Sequence, residues 1–173
     1  MALAKEYTTD RIRNIVVLGH GGSGKTSLIE ALCFVSGTSS RHGDVDNGTA
    51  VTMHTPEEHA HEISIQMTPA YAEHNGVKVN LLDTPGYLDF TGEALSAVRV
   101  ADAAIIVVSA TSGIEVGTER VWEYCEARGI PRIIFVSMMD KEHADFDGVF
   151  QQIKKLTDSA LPVEIPIGEG PAF

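Results

Sequence analysis

Gly19-His20-Gly21-Gly22-Ser23-Gly24-Lys25-Thr26 decides the reading of this chain. The stretch fits the spacing glycine, four residues, Gly-Lys-Ser/Thr, in which a glycine-rich loop turns its backbone N–H groups inward around phosphate oxygens. The glycines permit the bend. Lys25 is long enough to reach the outer phosphates, and the Thr26 hydroxyl can ligate Mg²⁺. A helix following the loop adds its positive N-terminal end. The flanks agree: Arg13-Asn14-Ile15-Val16-Val17-Leu18 reads as a buried strand, and Ser27 to Val35 as a helix with Leu28, Ile29, Leu32 and Val35 on one face. The bland alternative, a Gly-rich turn with an incidental lysine, does not call for that strand–loop–helix setting. The chain is expected to bind a nucleoside triphosphate with Mg²⁺.

The bulk properties narrow the class. A chain of 173 residues, 43% hydrophobic, is long enough for one domain with its own core. No apolar run approaches the length of a membrane span, and Met1-Ala2-Leu3-Ala4-Lys5-Glu6 lacks the layout of a signal peptide, so a cytoplasmic protein without membrane contact is expected. Cys33 and Cys125 both fall in helical patterns and read as core thiols of a reducing compartment. A net charge of −11 repels nucleic-acid backbones and argues against binding of free nucleic acid by this domain alone.

Outward from the loop, residues 1–12 read as a polar arm. The stretch from Ser36 to Glu62 is long, polar and without period, a length that marks a functional loop. Alternation begins at Ile63, Ile65 and Met67, with Ser64, Gln66 and Thr68 on the other side. Asn75-Gly76 is a hairpin signal, and Val77, Val79 and Leu81 alternate after it, so residues 63–83 are expected to form an antiparallel hairpin. Ala94 to Ala101 reads as a helix, Ala103 to Ser109 as a strand buried on both faces, and Thr118 to Arg128 as a helix stopped by Gly129. Pro131 to Val136 is the next strand; Phe146, Val149, Phe150, Ile153 and Leu156 form a helical stripe; residues 162–167 read as one more short strand. The alternation of strands and helices predicts an α/β fold, a doubly wound, mostly parallel sheet with helices on both faces and one antiparallel hairpin strand.

Asp83-Thr84-Pro85-Gly86 is the second motif. Asp83 ends an apolar strand, where a P-loop protein places the acid that holds Mg²⁺. Pro85 stiffens the turn and Gly86 frees a backbone N–H for the γ-phosphate. A loop held by that phosphate is released on hydrolysis, which makes it a switch.

In these motifs the chain resembles the G domain of translational GTPases, nearest to the elongation factor G family. The resemblance rests on residues 19–28 and 83–90, on Ala101-Asp102-Ala103-Ala104, on Gly117-Thr118-Glu119-Arg120-Val121-Trp122 and on Asp140-Lys141-Glu142-His143-Ala144-Asp145-Phe146, and it covers roughly residues 13–170. It implies a P-loop NTPase fold, GTP/GDP and Mg²⁺ as ligands, hydrolysis stimulated by the ribosome, and a monomer. It also implies a first switch over 38–64 and a second over 83–93. Gly19, His20, Gly21, Gly22, Ser23, Gly24, Lys25 and Thr26 would hold the phosphates together with Asp83, Thr84, Pro85, Gly86 and Tyr87. Ser137, Met138, Met139 and Asp140 would meet the base; Thr26, Ser64 and Asp83 would serve the metal; Lys25, Gly86 and Tyr87 would serve the reaction.

Three departures qualify the resemblance. The family's first switch ends in Arg-Gly-Ile-Thr-Ile; here it is His61-Glu62-Ile63-Ser64-Ile65, which keeps a hydroxyl at Ser64 and replaces a glycine by Glu62. The family's histidine after Asp-Thr-Pro-Gly is Tyr87, a poor base at neutral pH, so slowed hydrolysis is expected. The guanine motif Asn-Lys-x-Asp reads Ser137-Met138-Met139-Asp140; Asp140 keeps the acceptor for guanine, and Met138 offers a flexible apolar side chain to the base. GTP is expected over ATP, with weakened discrimination. His54, His59 and His61 read as a solvated loop rather than a metal site. The family's last strand, with its Ser-Ala motif, and its last helix are not found after residue 167. A G domain over 13–173 that stops short of them, as the N-terminal part of a larger protein, is therefore expected. Two other readings stay open: a nucleotide-dependent binding module with weak hydrolysis, and a P-loop ATPase with relaxed base specificity.

Overall fold

The computed structural model describes residues 5–173. Ten helices and strands follow one another among them: β1 Ile12–Gly19, α1 Lys25–Val35, α2 Pro56–His61, β2 Thr68–His74, β3 Val77–Asp83, α3 Thr91–Val100, β4 Ala103–Ser109, α4 Val116–Arg128, β5 Arg132–Ser137 and α5 Phe146–Leu156. The described strands form one sheet in the order β2-β3-β1-β4-β5. β1 pairs in parallel with β3 and β4, β4 with β5, and β2 runs antiparallel to β3. The expected architecture is observed.

Side chains alternate between two cores. Val16, Leu18, Ile106 and Val108 pack with Ala97 of α3, Val121, Trp122 and Cys125 of α4, and Val149 and Ile153 of α5. Val17, Leu81 and Val107 face the other way, onto Ile29 and Cys33 of α1. β1 and β4 are therefore buried on both faces, which is why their sequences are near-continuous apolar runs. Their carboxyl ends meet where the chain leaves β1 toward β3 and β4 toward β5, the crevice at which open α/β sheets bind ligands. Val17 lies opposite Asp83 and Gly19 opposite Val107, so the register brings Asp83 to the mouth of the loop after β1.

Several boundaries differ from the expectation. The hairpin begins at Thr68, not Ile63, because the N–H groups of Ile65 and Gln66 are taken by the Glu58 carboxylate and that of Met67 by Glu93, which withholds these three donors from a ladder. Its turn is as expected, with Asn75 and Gly76 both at positive φ (47° and 76°). The loop from Ser36 to Glu62 contains α2, capped by the reciprocal Thr55–Glu58 bonds with Pro56 in its first turn. The buried face of α1 includes Cys33 and not Val35, which is 84% exposed. Residues 162–167 form no strand: Pro162 and Pro166 remove two of six donors, and Val163 and Ile167 stand almost fully exposed. Of the arm over 1–12, residues 1–4, and with them the signal-peptide reading of Met1 to Ala4, lie outside the described residues; β1 begins at Ile12, and Lys5 pairs with Glu73 of β2.

Ile106 is fully buried at the centre of β4. Ile106→Ala is expected to lower unfolding stability by about 3 kcal/mol through lost transfer energy and a residual cavity. Denaturant titration would read this as an earlier midpoint at an unchanged slope.

Candidate functional site

The loop after β1 closes on itself. Gly22 and Gly24 take the left-handed conformation (φ 75° and 89°), which lets the chain turn from strand to helix in five residues. Ser23 N–H bonds the His20 carbonyl at 3.3 Å, and Lys25 Nζ donates to the same carbonyl at 2.8 Å. Lys25 is buried, and burial pushes its pKa down to about 8, against an opposing pull from Asp83. A buried ammonium whose one hydrogen bond among the described residues is to a carbonyl is poised for an anion.

Asp83 supplies the opposite charge. Its Oδ2 accepts from Thr26 Oγ1 at 2.8 Å and from Thr52 Oγ1 at 2.6 Å, while Oδ1, equally buried, has no partner among the described residues. Ser64 Oγ stands 3.3 Å from Thr26 Oγ1. Burial raises the Asp83 pKa, with the nearby Glu58 charge adding to it, against the two hydroxyls and Lys25. A buried carboxylate with an unspent oxygen beside two hydroxyls is an all-oxygen donor set that suits a hard cation such as Mg²⁺. The structure thus brings Thr26, Ser64 and Asp83 together.

The turn after β3 lies against the loop. A side chain at Gly86 would meet Gly21 N at 2.6 Å, so only glycine permits this approach. The Tyr87 ring stands over Gly21, 3.0 Å from where a Cβ there would be. Thr84 and Pro85 face inward: Thr84 Oγ1 donates to the Val17 carbonyl at 2.7 Å and holds the turn from behind. The His20 ring is also turned away, with Nε2 3.5 Å from Glu115 Oε1.

At the other end, Ser137 Oγ donates to the Ser23 carbonyl at 2.7 Å, tying β5 to the loop. Met138 has φ +59°, and Ser109 Oγ donates to its sulfur at 3.5 Å. Asp140 is exposed, 3.9 Å from Lys141 Nζ. A cleft of about 630 Å³ runs from Lys25, Thr26 and Ser64 past Gly86 and Tyr87 to Ser137, Met138, Met139 and Asp140. Gly21, Gly22 and Gly24 line it; Gly19, His20, Ser23, Asp83, Thr84 and Pro85 do not.

Three residues of this region escape sequence reasoning. Glu30, fully buried on α1, accepts the N–H groups of Gly43 (2.9 Å) and Val51. Thr52 reaches Asp83 from within the loop. Glu58, 1% exposed, takes four N–H groups: His54 and Thr55 at 3.1 Å on Oε2, Ile65 at 3.0 Å and Gln66 at 3.3 Å on Oε1. Burial alone would raise its pKa; the four N–H groups bring it down to about 2. Thr55-x-x-Glu58 carries a readable capping signal, whereas Glu30 and Thr52 carry none. Among the described residues no group of three His, Cys, Asp or Glu is placed to hold a metal, His54, His59 and His61 included.

Residues 10–167 match the elongation factor Tu GTP binding domain family. The chain is 39% identical over 171 residues to elongation factor G of Thermotoga neapolitana, covering 98% of this chain and 25% of that protein. It is 39% identical over 164 residues to the mitochondrial ribosome-releasing factor 2 of Bos taurus, covering 94% and 21%. A crystal structure of a Thermus thermophilus protein superposes with a TM-score of 0.89 at 40% identity, over 94% of this chain and 24% of that one. The chain spans about a quarter of the length of the relatives it matches.

Lys25 yields a test of the site's electrostatics. Its folded pKa lies below the unfolded value of 10.5, so the charged form opposes folding in full below about 8, and that penalty disappears as pH rises to 10.5. In the nucleotide-free chain, Lys25→Met is expected to raise stability at pH 7 by about 1–2 kcal/mol. The gain should shrink between pH 8 and 10.5 in thermal or denaturant unfolding.

Proposed function

Since the chain belongs to the elongation factor Tu GTP-binding domain family, we propose that it serves an elongation factor G-like translation factor as a switch that binds GTP with Mg²⁺, hydrolyses it and answers to the ribosome. One observation carries this reading. Asp83 at the end of β3 and Gly86 in the turn after it arrive at the mouth of the Lys25–Thr26 loop together with Ser64.

The residues divide the work. Lys25 exchanges the His20 carbonyl for phosphate oxygens, and the backbone N–H groups of residues 21–26 surround the same charge. Thr26, Ser64 and Asp83 are the residues that would hold Mg²⁺, which would supply positive charge against the phosphates. Gly86 offers its N–H to the γ-phosphate. Tyr87, whose ring stands over Gly21, would hydrogen-bond an attacking water without acting as a strong base. Phosphoryl transfer depends mostly on positioning and charge, so this arrangement supports slow hydrolysis. Asp140 accepts from the guanine edge, and Met138 packs against the ring. The tie from Ser137 to Ser23 keeps the base end in register with the phosphate end. A mitochondrial factor stands among the relatives beside bacterial ones, so the setting is any compartment that holds ribosomes.

Tyr87 also supports a second reading, a binding module that hardly hydrolyses. The third, an ATPase of relaxed base specificity, is separated by competition of GTP and ATP against a fluorescent GDP in the presence of Mg²⁺. GTP is expected to displace the probe about a hundredfold more effectively than ATP, and Asp140→Asn to abolish the preference. Equal displacement by the two nucleotides overturns the guanine assignment.

Tyr87→His is expected to raise ribosome-stimulated single-turnover hydrolysis about tenfold or more, as a better base is restored. An unchanged rate means that Tyr87 does not limit the reaction.

A further inference from the structure

Ser64 reaches the metal end of the cleft from a segment that belongs to no strand or helix, so something else fixes its position. Its neighbours show what does. The N–H of Ile63 bonds the main-chain carbonyl of Glu58 at 3.3 Å. The N–H groups of Ile65 and Gln66 bond the Glu58 carboxylate. Ser64 is thus bracketed on both sides by one residue. The other carboxylate oxygen holds His54 and Thr55 at the far end of the loop.

We propose that Glu58 is a positioning residue for the metal end of the site: it clasps residues 54–66 into a closed loop and so sets Ser64 beside Thr26 and Asp83. This rests on the assignment of Ser64 to the metal made above and adds the group that puts it there. The simpler reading is that Glu58 only caps α2. A capping carboxylate needs the N–H at the helix start, whereas Ile65 and Gln66 lie beyond the end of that helix. No Lys or Arg pairs with Glu58 among the described residues, so its buried charge is compensated by these N–H groups. Glu93 of α3 takes the next N–H, that of Met67, at 2.8 Å and anchors the segment to the second switch.

The substitution that tests this keeps the size and divides the clasp. In Glu58→Gln the amide oxygen can hold one pair of N–H groups, while its NH₂ faces the other pair. The full chain, Glu58→Gln, Ser64→Ala and the double variant are compared by hydrogen exchange and by binding of GDP and of a non-hydrolysable GTP analogue with Mg²⁺. The metal contact of a first switch belongs to the triphosphate state. Glu58→Gln is therefore expected to weaken the analogue about tenfold and GDP by no more than about twofold, with Ser64→Ala doing the same and the double variant falling no further. Amide exchange at Ile65 and Gln66 should rise about tenfold or more in Glu58→Gln and stay within about twofold in Ser64→Ala.

An additive loss in the double variant, or unchanged exchange at Ile65 and Gln66, overturns the positioning role and leaves the Ser64 assignment standing. Undiminished analogue binding by Ser64→Ala overturns that assignment, and the positioning role falls with it. Glu58→Asp keeps the charge but is one methylene too short to span both ends. It is read by the same criteria should the glutamine variant fail to fold.

Discussion

One oxygen, Asp83 Oδ2, accepts hydroxyls from two segments, through Thr26 at the head of α1 and Thr52 in the long loop. The end of β3 is therefore the point at which strand, helix and loop are joined. The parallel register of β1 and β3 sets the height of that oxygen, and the double burial of β1 sets the register. A slip of one residue would turn Leu81 and Leu82 onto the wrong faces and carry Asp83 out of the site. The chemistry of the cleft is in this sense held by the packing of the sheet beneath it.

Around that point the chain uses carboxylates, those of Glu30 and Glu58 buried and that of Glu93 half-buried, where a sheet would use carbonyls. Glu30, Glu58 and Glu93 accept main-chain N–H groups of residues 43, 51, 54, 55, 65, 66 and 67. A carboxylate gives a charge-assisted bond that is stronger than an amide's, and it can be supplied from a distance. It also commits a charge to the interior, so the loop holds its shape only while every N–H stays in place. A segment built this way suits two discrete arrangements better than gradual deformation.

The parts of the fold that could be read in the chain are those whose signals are local. β1, its loop and α1 are one continuous pattern, and Asn75-Gly76 and Gly129 mark their turns directly. Residues 63–67 alternate as a strand does, yet their donors are claimed by Glu58 and by Glu93, 26 positions further on, and no period in the sequence records that. Residues 162–167 read as a short strand, yet Pro162 and Pro166 each lack a donor for a ladder. The cleft's residues at 21, 22, 24–26, 86–87 and 137–140 were legible from motifs; that Thr52 and Glu30 support them was not, because a threonine in a polar loop and a glutamate in a helix have no distinguishing spacing.

The bond from Lys25 to the His20 carbonyl has a thermodynamic consequence. One of the ammonium's three donors is already engaged, so for that donor uptake of a phosphate exchanges one partner for another rather than creating a contact from nothing. The gain is the difference between the two bonds. A lone inorganic phosphate meets this end of the cleft alone, whereas a nucleotide, on the proposed reading, would add contacts at the far end, beside Ser137 to Asp140. The self-bonded lysine thereby acts as a threshold, and calorimetry of phosphate, pyrophosphate and nucleoside diphosphate would trace it as a steep rather than proportional growth in affinity with ligand length.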